Sequence, residues 1–351
     1  PESDVDVRGI CVANADVRLS YMKQFDQYQG ALGHGHCDLL REKFNWGDKP
    51  DEAFVDTTIY DLAKAIKLIA DNNPNMIELL WAPEERIVLA HPSWLKFVQI
   101  RDSFLSQKCK YTFMGYAHAQ YRKIASHRSW LLDPPKGKPE RTDFGLPETS
   151  LLSADDRNSI EEAVAGIVRS WQIEDILHGA EQDMLRERMV DFWSSFEGNK
   201  NARKEDLDDQ MKTIAGREAG LSEGTLILLS RERRYRASLK HWNSYLKWKN
   251  ERNPKRAELE ARHGFDTKHA SHLVRLARMC VEILTFGEVR VQREDAEELL
   301  AIRRGARTFE DIEAEFNSLK IQIEGVASKL PHSPNHALID STLIEVLREH
   351  L

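Results

Sequence analysis

Ser3-Asp4-Val5-Asp6-Val7-Arg8-Gly9-Ile10-Cys11-Val12-Ala13 decides the fold. From Asp4 the stretch alternates and then runs apolar, which predicts a β-strand over 4–13. Residues i and i+2 of a strand share a face, so Asp4 and Asp6 present two carboxylates about 7 Å apart along the backbone. Two ionised carboxylates this close repel unless a cation sits between them. Mg²⁺ (or Mn²⁺) takes one or two protein carboxylates and fills its shell with phosphate and water. Such a pair suits phosphoryl or nucleotidyl transfer, one ion activating the attacking hydroxyl and a second holding a triphosphate. Acids two apart at a strand end are also common surface features, so the pair gains weight only with a third carboxylate nearby.

Residues 53–58, Ala-Phe-Val-Asp-Thr-Thr, predict the next strand and make Asp56 the best third carboxylate, with Glu78 in reserve. Asp56 reads equally well as the cap of a helix starting near Thr58. The spacing of Ile59, Leu62, Ala63, Ile66, Ile69 and Ala70 predicts a helix over 59–71, ended by Asn72-Asn73-Pro74-Asn75. Residues 76–81 predict a short helix or strand and residues 86–90 another strand. Alternating strands and helices then give a mixed sheet region, 1–106. Beyond it, helices are predicted near 111–131, 156–171, 180–198, 230–249, 267–285, 294–303, 308–328 and 337–350. The loop 133–147, rich in proline, falls within this mainly helical region, 107–351.

A net charge of −7 argues against a protein coated by nucleic acid, but positive charge is concentrated locally. Residues 108–141 hold eight Lys or Arg against two acids, and residues 231–256 hold ten against two. Either run reads as an anion-binding face or as a solvated helix surface. No apolar run is long enough to span a membrane, so no membrane partner is expected. The first residues have no basic start and no apolar core, so no signal peptide is expected there. Cys11, Cys37, Cys109 and Cys280 show no zinc-ligand spacing, and they read as reduced thiols of a cytoplasmic protein. His34, His36 and Cys37 read as loop residues rather than a metal site.

Three further clusters carry cations. Asp266 or Thr267 would cap a helix on which Lys268, His272 and Arg275 form one stripe. Gly115, His118, Arg122 and Lys123 lie close on another helix, which ends in His127, Arg128 and Trp130. Residues 231–249 interleave Arg and Lys with Tyr235, Trp242, Tyr245 and Trp248, the ingredients of single-strand binding. Their helical spacing predicts that the aromatics are mostly buried.

Pro1–Ile10 resembles the second half of the catalytic motif of DNA polymerase beta-type nucleotidyltransferases. Blocks 60–84, 115–147 and 263–289 extend the resemblance to the predicted nucleotidyltransferases of bacteria and phages that are associated with an RNA-repair pathway. The resemblance implies an α+β protein, a nucleotidyltransferase-type mixed sheet domain followed by a helical region. It implies metal ligands at Asp4 and Asp6, with Asp56 completing the set, and Mg²⁺ or Mn²⁺ as cofactor. It further implies a nucleoside triphosphate substrate, an RNA acceptor, and substrate contacts drawn from Arg8, His118, Arg122, Lys123, Lys268, His272 and Arg275. The family's Gly-Ser turn, whose amides grip the triphosphate, does not precede Asp4 here. The expectation is that the sequence begins inside the motif, truncated at its start. The rival readings are a non-catalytic RNA- or protein-binding module on a degenerate scaffold, and a transferase that modifies protein.

Overall fold

The structure is a computed structural model that describes residues 5–31, 38, 40, 42, 43, 55–170 and 204–351. Its architecture is α+β: a small mixed sheet near the N-terminus, followed by helices. Three strands form the sheet, β1 (Val5–Cys11), β2 (Gln27–Ala31) and β3 (Val55–Asp61). Their order is β1-β3-β2, with β1 parallel and β2 antiparallel to β3. Val7, Gly9, Thr57 and Ile59 share one face, and Thr57 is completely buried. A Cβ on Gly9 would meet Ile59 at 3.3 Å, so glycine lets the two parallel strands approach closely.

β3 runs three residues further than its sequence predicts. Ile59 and Tyr60 are strand formers, and the helix waits for Asp61, whose carboxylate accepts from the Ala63 amide at 2.9 Å. Asp61 is therefore the cap of helix Leu62–Ala70, which corrects the alternative reading of Asp56 as the cap. Leu62, Ala65, Ile66 and Ile69 of that helix are buried, and the helix touches β1 and β3. The helix ends as 72–75 predicts. Asn72 adopts a left-handed φ of 53°, and the Asn72 and Asn73 amides donate back to Ile69 and Leu68. Asn72 is fully buried, and its amide nitrogen donates to the Phe104 carbonyl at 2.7 Å. Its amide oxygen accepts from the Ser106 hydroxyl at 2.9 Å, and its backbone carbonyl accepts from Thr112 at 2.8 Å.

Residues 62–106 hold helices and 3₁₀ turns joined by irregular segments, with no strand among them. Pro74–Ile77 is a turn of α-helix, Glu78–Trp81 and Glu84–Arg86 are 3₁₀ turns, and Pro92–Gln99 is a helix that 86–90 did not announce. The expected strand at 86–90 does not form. Pro83 and Pro92 flank it, no strand among the described residues pairs with it, and Leu89 is exposed. The expected helices from 111 onward are present, with one, at 180–198, lying outside the described residues. The helix expected at 230–249 spans Glu223–Glu251, its start capped by Ser222. Helices Lys204–Glu218 and Pro254–His263 were not expected.

By compactness the chain divides into two units. One unit comprises 1–117, 273–300 and 313–351; the other comprises 118–272 and 301–312. In the first, helix His336–Glu349 touches helices Leu62–Ala70 and Pro92–Gln99. Lys96 pairs there with Glu345 at 2.6 Å and with Glu349. Phe97, Phe104, Phe113, Leu273, Ile283 and Phe316 lie in its core. In the second, helix Ala154–Ser170 packs on Lys204–Glu218, which also touches Glu223–Glu251. Arg233 joins these three helices through Glu161 at 2.8 Å and Asp209 at 2.9 Å. Arg141, in a 3₁₀ turn of the 133–147 loop, pairs with the buried Glu232.

Asn72→Ala removes the buried hydrogen bonds and forces a Cβ-only residue into left-handed backbone. It should destabilise the protein by about 3 kcal/mol in urea titration, and Asn72→Gly, which relieves the backbone, by about 1 kcal/mol less.

Candidate functional site

Parallel pairing sets Asp6 directly opposite Asp56, one strand spacing (about 4.8 Å) away, with both side chains on the same face. Both are exposed. Arg8 and Thr58 form the next pair on that face, and Gln29 of β2 pairs with Thr58 from the other side. The resulting surface is polar and open: two carboxylates at one end, then a guanidinium, a hydroxyl and an amide. Arg8 donates to the Asn75 carbonyl at 3.2 Å, so the turn that ends helix Leu62–Ala70 also steadies the cation next to the acids. Two carboxylates on adjacent strands, open to solvent, are a donor set suited to a hard divalent cation. Asp4, together with His34, His36 and Cys37, lies outside the described residues.

The remaining expected contacts are distributed over both units. Arg275, in the same unit as Asp6, is taken by Glu78 at 2.5 Å. Glu78 lies on a 3₁₀ turn and not on a strand, so this pair also accounts for the reserve carboxylate. His118, Arg122, Lys123, Lys268 and His272 belong to the other unit. Of these, Arg122, Lys123 and Lys268 are exposed, His272 is half-buried and His118 is buried. Asp266 proves to be the helix cap, accepting from the His269 amide at 3.0 Å, while Thr267 donates to the Arg303 carbonyl at 2.8 Å.

The second unit also holds a cluster that its sequence did not announce. His127, Glu260 and Asp266 bring one ligand atom each within 4.8 Å of one another. His127 Nδ1 lies 3.9 Å from Glu260 and 3.8 Å from Asp266, and both carboxylates are almost fully buried. Arg256 reaches Asp266 at 2.6 Å, and Arg252 reaches Glu260 at 3.3 Å. Two guanidinium groups thus supply the charge that a cation would bring, and the cluster reads best as a buried ion-pair network. Around it, the His127 ring lies 5.6 Å from Trp130, 5.5 Å from Trp248 and 6.1 Å from His269. Tyr245 is buried and touches Trp130, Trp242 and Trp248, whereas Tyr235, Trp242 and Trp248 are only half-buried, so the expected burial holds fully for Tyr245 alone of the four. Glu260 had no legible signal, because His127, which completes the cluster, comes from a distant segment of the sequence.

Burial and the charge of Asp266 push the Glu260 carboxyl up. Burial opposes ionisation of Asp266 too, but His127, His269 and Arg256 outweigh it and hold that carboxyl well below the usual range. Burial pushes His269 down to about 4 against the pull of Asp266, with Arg256 and Lys123 adding to the depression.

Residues 1–131, the segment that carries Asp6, Arg8 and Asp56, match the model of the RNA repair pathway DNA polymerase beta family, the family that the sequence blocks resemble. An uncharacterised 38.9 kDa protein of Enterobacteria phage T4, encoded in the nrdC-mobD intergenic region, is 24% identical over 335 residues. The alignment covers 94% of this chain and 85% of the phage protein. No solved structure matches the chain. Among the described residues no helix is long and apolar enough to cross a membrane.

His269 generates a pH prediction. The unfolded chain protonates this residue near pH 6.5, whereas the folded chain holds it neutral down to about 4. Between those values the unfolded state binds more protons, so stability falls as pH drops, by up to on the order of 3 kcal/mol. Melting temperatures of the wild type should fall more steeply from pH 6.5 to 4 than those of His269→Gln. Parallel curves would contradict this origin.

Proposed function

We propose that this chain is a divalent-metal-dependent nucleotidyltransferase of the DNA polymerase beta type. It transfers a nucleoside monophosphate from an NTP to an acceptor hydroxyl, with an RNA 3′ end as the acceptor. The observation that carries the reading is Asp6 opposite Asp56 on the open face of the sheet, inside the segment that matches the family. The acceptor is supported by the family's description and by the basic charge of 231–256.

Asp6 and Asp56, with Asp4 from the same motif, would hold Mg²⁺ or Mn²⁺. Such an ion, when bound, neutralises the triphosphate and acidifies the acceptor hydroxyl. In the transfer, the acceptor oxygen bonds to the α-phosphorus and the bond to pyrophosphate breaks. Asp56 positions the acceptor hydroxyl and takes its proton, while Asp6 keeps the facing negative charge that selects a cation. Arg8, on the same face, offers its guanidinium to the phosphates. Most of the rate would come from positioning and charge stabilisation. In the other unit, His118, Arg122, Lys123, Lys268 and His272 are proposed substrate contacts. Arg275, already paired with Glu78, has a supporting role.

The test supplies α-labelled NTPs, Mg²⁺ and a mixed RNA pool to protein expressed from its complete reading frame. Asp6→Asn and Asp56→Asn should each lower labelling of RNA by about 100-fold or more, equivalent to about 2.7 kcal/mol in the barrier, with melting unchanged. Both side chains are exposed, so the fold does not depend on them. Label on protein instead of RNA would keep the chemistry and replace the acceptor. Folded protein that labels nothing would sink the proposal in favour of a binding module.

A further inference from the structure

Helix Glu223–Glu251 bears a groove of about 410 Å³, lined among the described residues by Arg236, Leu239, Lys240, Asn243, Ser244 and Lys247. These positions fall on one stripe of the helix. The stripe carries three cations, two neutral hydrogen-bonding groups and no carboxylate. Between 233 and 250 the helix has six Lys or Arg and no Asp or Glu. Arg233 is neutralised within the fold, but among the described residues no carboxylate pairs with Arg236 or Lys240. Lys247 has Glu251 at 3.9 Å, yet both side chains are largely exposed, so solvent screens the pair. Arg236 is half-buried, and Lys240 and Lys247 are exposed, so the stripe presents cations without matching carboxylates to solvent, and such a surface attracts anions.

We infer that this groove binds the phosphodiester backbone of single-stranded RNA. The choice of RNA rests on the proposed transferase reading, and the groove gives that reading a surface for its acceptor. From Arg236 to Lys247 the stripe is about 16 Å long, which outruns one triphosphate and suits successive phosphates of a chain. A single row of cations serves one strand. The aromatic rings of the same helix are packed against Trp130 and one another, so the groove reads charge rather than bases. Binding is therefore salt-sensitive and indifferent to sequence.

The test is fluorescence anisotropy of full-length protein with labelled oligo(U), oligo(C) and a matched RNA duplex, over a range of salt. Lys240→Ala/Lys247→Ala alters two exposed side chains and should leave melting unchanged. It should weaken both single strands by about tenfold at low salt and flatten the salt slope by about 1.4, two phosphates at about 0.7 each. Adding Arg236→Ala should flatten it by about 0.7 more. Unchanged affinity and slope in the double variant would overturn the inference. So would tighter binding of the duplex, or loss of ATP and pyrophosphate binding with RNA binding intact, which would make the groove a nucleotide site.

RNA binding that depends on Lys240 and Lys247, without transfer from any NTP, leaves the groove standing and removes the transferase. Transfer to RNA with an unchanged KM in the double variant does the reverse.

Discussion

The in-register parallel pairing of β1 with β3 governs the arrangement around the acids. Slipping it by one residue would turn Asp56 away from Asp6 and drive Thr57, which has no exposed surface, out of its packed position. Two features oppose the slip. Gly9 lies against Ile59 with little room for a Cβ, and Asp61 must end the strand at the first turn of helix Leu62–Ala70. The facing carboxylates themselves oppose the pairing by repulsion, so the packed side of the sheet supplies the energy that holds them together. Such an arrangement, costly alone and relieved by a cation, is common where function and stability compete.

The turn at 72–75 extends that constraint. Asn72 closes one helix, ties it to Phe104, Ser106 and Thr112, and precedes by three residues Asn75, whose carbonyl receives Arg8. Few side chains could substitute. Glycine accepts the left-handed backbone but makes none of the amide bonds, and aspartate lacks the donor that reaches Phe104.

Local signals were legible where local chemistry decides. The first strand, the helix after β3, its stop at Asn72-Asn73-Pro74 and the Asp266 cap all follow from periodicity and capping. Asp6 and Asp56 were legible as acids on neighbouring strands, though their direct opposition was not, because register is a property of the pair. β2 was missed because Gln27-Tyr28-Gln29-Gly30-Ala31 is too polar to read as a strand without its partner. Residues 86–90 erred in the other direction, apolar enough for a strand but with no strand among the described residues to pair with. Charge was the hardest to read. Arg233, Arg275 and Arg256 look like Arg236 and Lys240 in sequence, yet Arg233 and Arg275 are committed to half-buried carboxylates from distant segments and Arg256 to the buried Asp266 nearby. Only the fold separates a cation in use from one available to a ligand.

β3 lies between two strands that never touch each other, and the unit around it is completed by helix His336–Glu349, laid against helices Leu62–Ala70 and Pro92–Gln99. A nascent chain leaving the ribosome therefore cannot finish the unit that holds the sheet until helix His336–Glu349 emerges. The whole of 118–272 is synthesised in the interval, while apolar side chains near the N-terminus wait uncovered. A premature stop codon before His336 that spared every residue of the sheet would still damage the part of the molecule that carries Asp6 and Asp56.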